Sequence, residues 1–311
     1  MMRAAGHHGK HPDNRAMPGF AYALLAYVIW GLFPLYFRQL ERVPPLDIVL
    51  HRSVWLLVCI ALLLAATRRI AWLGKALRQP RLLALFAFSA LLLAGNWLLY
   101  VWAVNSHRVV DASLGYFINP LVNVLLGAAV LHERLRRAQW LAVALAALGV
   151  LWLTLQAGQL PWIALLLAVS FGVYGLLRKT APLGALEGLA LETLLLTPVA
   201  LPLLVAHTLA GGITPASDPV RFAWLLLAGP LTALTLLLFA AGARRLPMTT
   251  LGLLQYVSPT LQFALGVGLY REPFDLARGI GFALIWAALA LYAVEGWLFT
   301  RAVPGPAAAR G

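Results

Sequence analysis

Two stretches decide how this chain is read: Tyr116-Phe-Ile-Asn-Pro-Leu-Val-Asn-Val-Leu-Leu-Gly127 and Gln255-Tyr-Val-Ser-Pro-Thr-Leu-Gln-Phe-Ala-Leu-Gly266. Tyr116, Asn119, Asn123 and Gly127 lie three, seven and eleven residues along the first, and Gln255, Ser258, Gln262 and Gly266 repeat that spacing 139 residues later. The same offset brings Pro120 onto Pro259 and Glu133 onto Glu272. With about 3.6 residues per helical turn, each set makes one polar stripe on a helix that is otherwise hydrocarbon. Two matching stripes predict a site between two homologous halves, which in a membrane protein is the anatomy of a transporter.

Working outward, hydrophobic residues make up 62% of the 311 and charged residues 11%. Gly, Pro and Trp scatter through apolar runs, as membrane helices allow. Each run of roughly 20 apolar residues is long enough to span. The spans are expected near 19–38, 46–66, 82–104, 112–131, 138–156, 160–177, 186–206, 222–242, 249–270 and 277–298. The short alternating periods of a barrel are missing, so the expected class is an all-α polytopic membrane protein of ten transmembrane helices.

A net charge of +13 would suggest nucleic acid in a soluble protein, but its distribution says otherwise. With the N-terminus in the cytoplasm, 17 of the 24 Lys and Arg fall in the head, the tail and the cytoplasmic loops, and 6 in the external loops. Arg52 alone lies well inside a span. This is a positive-inside bias, so both termini are expected in the cytoplasm and no nucleic-acid partner is implied. The single cysteine, Cys59, rules out an intramolecular disulfide. The polar head, residues 1–18, has no apolar core leading to a cleavage site and is not expected to be a removable signal peptide. Its His7, His8 and His11 are read as part of a polar tail and not as a metal site.

The repeat extends beyond the stripes. Trp30-Gly31 matches Phe171-Gly172 at an offset of 141, and the same offset sets His51 on Glu192. Five spans is an odd number, so the second copy enters the membrane reversed. The chain then divides into two inverted five-helix repeats, 19–156 and 157–298, followed by a tail at 299–311.

Several stretches together carry a family resemblance: Ala26-Tyr-Val-Ile-Trp-Gly31 with Pro34, His51-Arg52 with Trp55, Gly95-Asn-Trp-Leu-Leu99, Trp102-Ala-Val-Asn105, the run from Ala112 to Asn123, and Gln255-Tyr256 through Pro259. In these the chain resembles the permeases of the EamA group in the drug/metabolite transporter superfamily, over nearly its whole length. The resemblance implies ten helices in two inverted repeats and a bacterial inner-membrane location.

Ionisable groups inside a bilayer are expensive, so each needs an explanation. Arg52 either snorkels to the external interface or, with His51 and the Trp55 ring, forms an anion-attracting pocket; the pocket is the expectation. Glu192, the repeat partner of His51, is either a residue of the helix start at the interface or approaches the same cavity; the cavity is the expectation, and the two are the candidates for proton coupling. Asn96 either joins helices or contacts solute. Pro34, Pro120 and Pro259 each free a carbonyl one turn earlier and are candidate hinges. Glu133 and Glu272, each beside arginines, fit either gate-like ion pairs placed symmetrically or exposed, energetically minor pairs; the exposed pairs are the expectation. The expected binding set is Trp30, His51, Arg52, Trp55, Asn96, Tyr116, Asn119, Asn123, Gln255, Tyr256, Ser258 and Gln262.

No HExxH, P-loop, GxSxG or paired His/Cys metal spacing occurs, so neither a cofactor nor an ATPase subunit is implied. A secondary carrier for a small-molecule solute is the reading these residues favour. An intramembrane enzyme using His51 and Glu192 on a lipid-linked substrate and a passive channel are the rivals.

Overall fold

The computed structural model describes residues 19–68, 70–105, 109–156, 162–214, 216–269 and 276–302. Among them every regular element is helical. The first span is broken: α1, Gly19–Gly31, stops at Leu32, and α2, Phe33–Phe37, continues into a 3-10 turn over Arg38–Leu40. Pro34 causes this, because it has no N–H to give the Trp30 carbonyl. Helix α3, Pro45–Thr67, starts on a proline pair that presets its first turn, and ends where Arg68 turns left-handed at φ 52° and donates to Leu64 and Ala65. A short helix α4, Ala71–Leu77, lies where the sequence suggested only a loop. It buries Ala76 against Leu82 and Phe86 of α5, Pro80–Asn105.

Helices α6, Val109–Ala129, α7, Arg137–Gln156, α8, Trp162–Thr180, α9, Ala185–Leu209, and α10, Pro219–Ala243, follow in order. The next segment is split into α11, Met248–Gln255, and α12, Val257–Gly268, before α13, Leu276–Ala302. Pro259 cannot donate to the Gln255 carbonyl, and the Tyr256 N–H instead closes a tight turn onto Leu253 at 3.2 Å.

Eight helical stretches are long and apolar enough to cross a membrane. The expected spans at 112–131 and 249–270 are not among them. The second of these is interrupted at Tyr256, between α11 and α12. These two segments carry the polar stripes.

Outer faces are hydrocarbon: Leu62, Leu91, Leu125 and Leu155 are each more than half exposed, which suits lipid and not water. Inside, α1 packs on α10 and α12, α5 on α8 and α9, α3 on α9 and α10, α6 on α8 and α11, and α7 on α13. Small residues permit the tightest crossings. A Cβ built on Gly229 of α10 would stand 2.3 Å from the Trp55 carbonyl carbon in α3, and one on Gly252 2.6 Å from the Pro120 oxygen in α6. The largest buried cluster centres on Tyr27, Trp97, Tyr174 and Phe239.

Candidate solute-binding site

Between these helices lies a cavity of about 480 Å³, within the range of small-molecule sites. Its aromatic wall is built by α1 and α8: the Trp30 and Phe171 rings meet edge to face, centroids 5.6 Å apart, with Tyr27 5.8 Å from Trp30. Trp30 and Phe171 are the pair that the sequence repeat aligns. A second aromatic pair, Tyr100 of α5 and Tyr116 of α6, stands with centroids 6.1 Å apart. The cavity reaches past Phe37 and Leu40 to Glu41 and Val43 in the connection before α3.

Arg52 enters this space from α3. Its Nε donates to Thr232 Oγ1 of α10 at 2.7 Å, and its guanidinium carbon lies 4.2 Å from the Trp97 ring centroid. Both contacts turn the cation into the cavity, toward α5 and α10.

The polar side is assembled from the two stripes. Asn119, Gln255, Ser258 and Gln262 all line the cavity. Gln262 Nε2 donates to the Trp30 carbonyl at 3.2 Å, the acceptor that Pro34 leaves free. Asn123 stands one layer behind, and its Nδ2 donates to Gln255 Oε1 at 2.9 Å, tying α6 to α11. Asn96 lines the cavity and also joins helices, its Nδ2 donating to the Leu167 carbonyl and Ser170 Oγ of α8, both at 2.9 Å. The two readings of Asn96 are therefore compatible.

Other expected site residues lie elsewhere. His51 is not among the lining residues, because successive helical residues diverge by roughly 100° and Arg52 takes the inward direction. His51 instead accepts from Trp55 Nε1 at 3.1 Å, and Phe222 of α10 packs edge-on to both rings. One turn earlier, Asp47 pairs with His207 of α9 at 2.9 Å. Glu192 is fully buried away from the cavity: Ser89 Oγ of α5 donates to its Oε1 at 2.5 Å, and Arg178 Nη1 lies 3.8 Å away. A span ending at 177 leaves Arg178 in the following cytoplasmic loop, and the structure differs. Arg178 belongs to α8 and is 1% exposed, its Nη2 donating to the Ala185 carbonyl at 2.8 Å. Tyr256 is fully buried in a separate cluster with Ile118, Ala164 and Ile285, and Pro120 lies within an unbroken α6, whereas Pro34 and Pro259 line the cavity beside helix breaks.

Glu133 does not behave as a surface ion-pair residue. The chain turns left-handed at His132, φ 55°, and brings the Glu133 carboxylate onto the start of α11. There it accepts from Met248 N at 2.6 Å, Thr249 N at 3.0 Å and Thr249 Oγ1 at 2.9 Å, an anion seated on a helix N-terminus. Lys179 adds bonds to the Ala243 and Leu246 carbonyls nearby. Glu272 lies outside the described residues, as do His7, His8 and His11.

Trp97, Phe171 and Thr232 were not in the expected binding set. The repeat did contain a signal for Phe171, since it aligns with Trp30. Thr232 carried none, because nothing in an apolar run marks one threonine as a partner of a residue 180 positions away.

The chain is an all-helical, polytopic membrane protein enclosing a solute-sized cavity between its helices, an arrangement that membrane transporters use. Residues 17–155 match the EamA-like transporter family. The uncharacterized transporter PA0485 of Pseudomonas aeruginosa is 47% identical over 293 residues, covering 93% of this chain and 97% of that protein. Protein RarD of Escherichia coli is 44% identical over 278 residues, covering 89% and 94%, and uncharacterized transporter YojE of Bacillus subtilis is 44% identical over 290 residues, covering 91% and 96%. A solved structure 21% identical in sequence aligns with a TM-score of 0.66 over 89% of this chain and 98% of that one, and so shares the fold. The chain belongs to the EamA-like transporter family, as a multi-pass protein of the bacterial inner membrane.

Proposed function

We propose that this protein is a secondary carrier that moves a small organic solute by alternating access, built as ten spans in two inverted five-helix repeats with both termini in the cytoplasm. The observation that carries the proposal is the meeting of the two repeated stripes at one cavity, where Asn119 faces the same space as Gln255, Ser258 and Gln262. The helix packing supports the repeat, because exchanging the halves maps its contacts onto one another. The contact of α1 with α10 becomes that of α5 with α8, α1 with α12 becomes α6 with α8, and α3 with α9, α6 with α11 and α7 with α13 map onto themselves.

The cavity opens toward the connection at 40–45, the external side under this topology. The opposite side is closed by the Asn123 bond to Gln255 and by Glu133 on the start of α11. Alternating access then requires releasing Glu133 from α11 and closing α1–α2 over the other end. The candidate contacts are Trp30, Arg52, Asn96, Tyr116, Asn119, Gln255, Ser258 and Gln262, with Pro34 and Pro259 at the helix breaks.

His51 and Glu192 are assigned to coupling through helix packing, not through solute contact. The Asp47 pair with His207 joins α3 to α9 beside His51, and Glu192 joins α9 to α5 and α8. A proton gained or lost at either place would bias how α9 packs.

Counterflow into proteoliposomes tests the carrier. Saturable uptake stimulated by solute trapped inside is expected; linear, non-saturating flux would identify a channel, and product formation without flux an enzyme.

A further inference from the structure

We propose that the solute is an organic monoanion: a carboxylate on an aromatic or aliphatic body that also bears one N–H or O–H donor. This deepens the carrier reading and rests on it. Two cations inside the helix bundle are met differently. Arg178 is met by the Glu192 carboxylate, whereas among the described residues no carboxylate lies within ion-pair distance of Arg52. Arg52 is fixed from behind by Thr232 and Trp97 through its Nε and its face. Its two terminal nitrogens make no hydrogen bond to the described protein. A guanidinium held in a low-dielectric cavity without a counter-ion is costly, and its forked donors fit a carboxylate.

Charge counting narrows the anion. Arg52 and Glu41 are the charged lining groups, and Glu41 sits exposed in the connection before α3. One deep cation balances one negative charge; a doubly charged phosphate ester would leave a charge uncompensated. A second polar demand is made by Asn119, whose Oδ1 is buried with no hydrogen-bond partner while the residue is 4% exposed. Asn119 lines the cavity, and turning its amide over presents that acceptor to a donor on the solute. Trp30 and Phe171 offer the apolar, edge-to-face surface against which the body packs.

The test uses the purified full chain with 3-phenyllactate, 3-phenylpropionate, 3-phenyllactamide and 2-phenylethylamine, read by ligand-dependent thermal stabilisation and by counterflow. Both carboxylates should bind, and the amide and the amine at least about 10-fold more weakly. Arg52→Gln should lose about 10- to 100-fold in carboxylate affinity. Arg52→Lys, which keeps the charge without the fork, should lose several-fold and still prefer carboxylate to amide, which guards against mistaking a folding failure for a binding one. Asn119→Leu should weaken 3-phenyllactate several-fold more than 3-phenylpropionate, which lacks the hydroxyl; equal loss for both overturns the donor contact. Equal binding of the amide or amine, absence of carboxylate binding, or wild-type affinity in Arg52→Gln overturns the proposal. If carboxylates bind through Arg52 but no counterflow occurs, the carrier reading fails and the anion site stands. If a neutral or cationic probe shows saturable counterflow that Arg52→Gln leaves intact, the carrier stands and the anion site fails.

Discussion

Arg178 and Glu192 form a pair that is almost wholly withdrawn from solvent, at 1% and 0% exposure, with Ser89 as a third member. Such a pair contributes little net stability when intact, but removing one partner strands a charge, at about 3–5 kcal/mol. Glu192→Ala is therefore expected to destabilise the purified protein by that amount in thermal unfolding, and Arg178→Met combined with Glu192→Leu to recover most of it. A double variant no more stable than the single one would mean that the pair is not the source of the loss. Function is a separate readout. His51→Gln and Glu192→Gln are each expected to flatten the pH profile of uptake, since each removes a titratable group at a contact of α3 or α9. Profiles that keep the wild-type shape would leave both residues with packing alone. That His51, Arg52 and Glu192 need an explanation was legible in the sequence, because ionisable residues stand out in apolar runs. Their partners were not: Ser89 lies 103 residues from Glu192 and Thr232 180 from Arg52.

At the scale of elements, proline decides where helices break and which carbonyls become free. Pro34 frees the Trp30 carbonyl, and Gln262 from the other half takes it. Pro34→Ala restores an N–H that competes with Gln262 and favours an unbroken α1–α2. Amide exchange over residues 30–36 should slow, and uptake should fall several-fold with little change in solute affinity. Unaltered exchange would show that the break does not depend on Pro34. The close crossing of α3 and α10 makes a different demand. Gly229→Ala would set a methyl 2.3 Å from the Trp55 backbone, and overpacking of this kind costs about 1–3 kcal/mol, measurable as a lowered unfolding temperature. Three prolines were readable as helix breakers in advance, yet α6 runs unbroken through Pro120 while Pro34 and Pro259 adjoin breaks. Neighbouring helices decide that outcome, because they determine whether a freed carbonyl finds another donor.

For the whole molecule, the proposed topology places Gly311 and Gln159 on opposite sides of the membrane, and reporter fusions at both test it. A C-terminal fusion active outside would overturn the inverted arrangement. The closed side is tested by chemistry at the cavity. In a Cys59→Ser background, a cysteine replacing Ser258 should be alkylated from the side of residues 40–45 and protected from the other. Glu133→Gln weakens the anion on the start of α11 and is expected to raise labelling from the protected side several-fold. Labelling that Glu133→Gln does not alter would remove Glu133 from the closure.

The sequence by itself determined the class of the molecule and the existence of two polar stripes. Both depend on local properties: the length of apolar runs set against the thickness of a bilayer, and the helical period that puts residues three, seven and eleven apart on one face. It also determined that Arg52 needs an explanation, since a charge in hydrocarbon is costly wherever the chain folds. Only the tertiary structure decided that Arg52 turns into the cavity while its neighbour His51 turns out, that Glu192 meets Arg178 instead of solute, and that Glu133 caps α11. These outcomes depend on which helix faces which. A helix presents every direction around its axis, and the contact that fills each one comes from a part of the chain that sequence spacing does not specify.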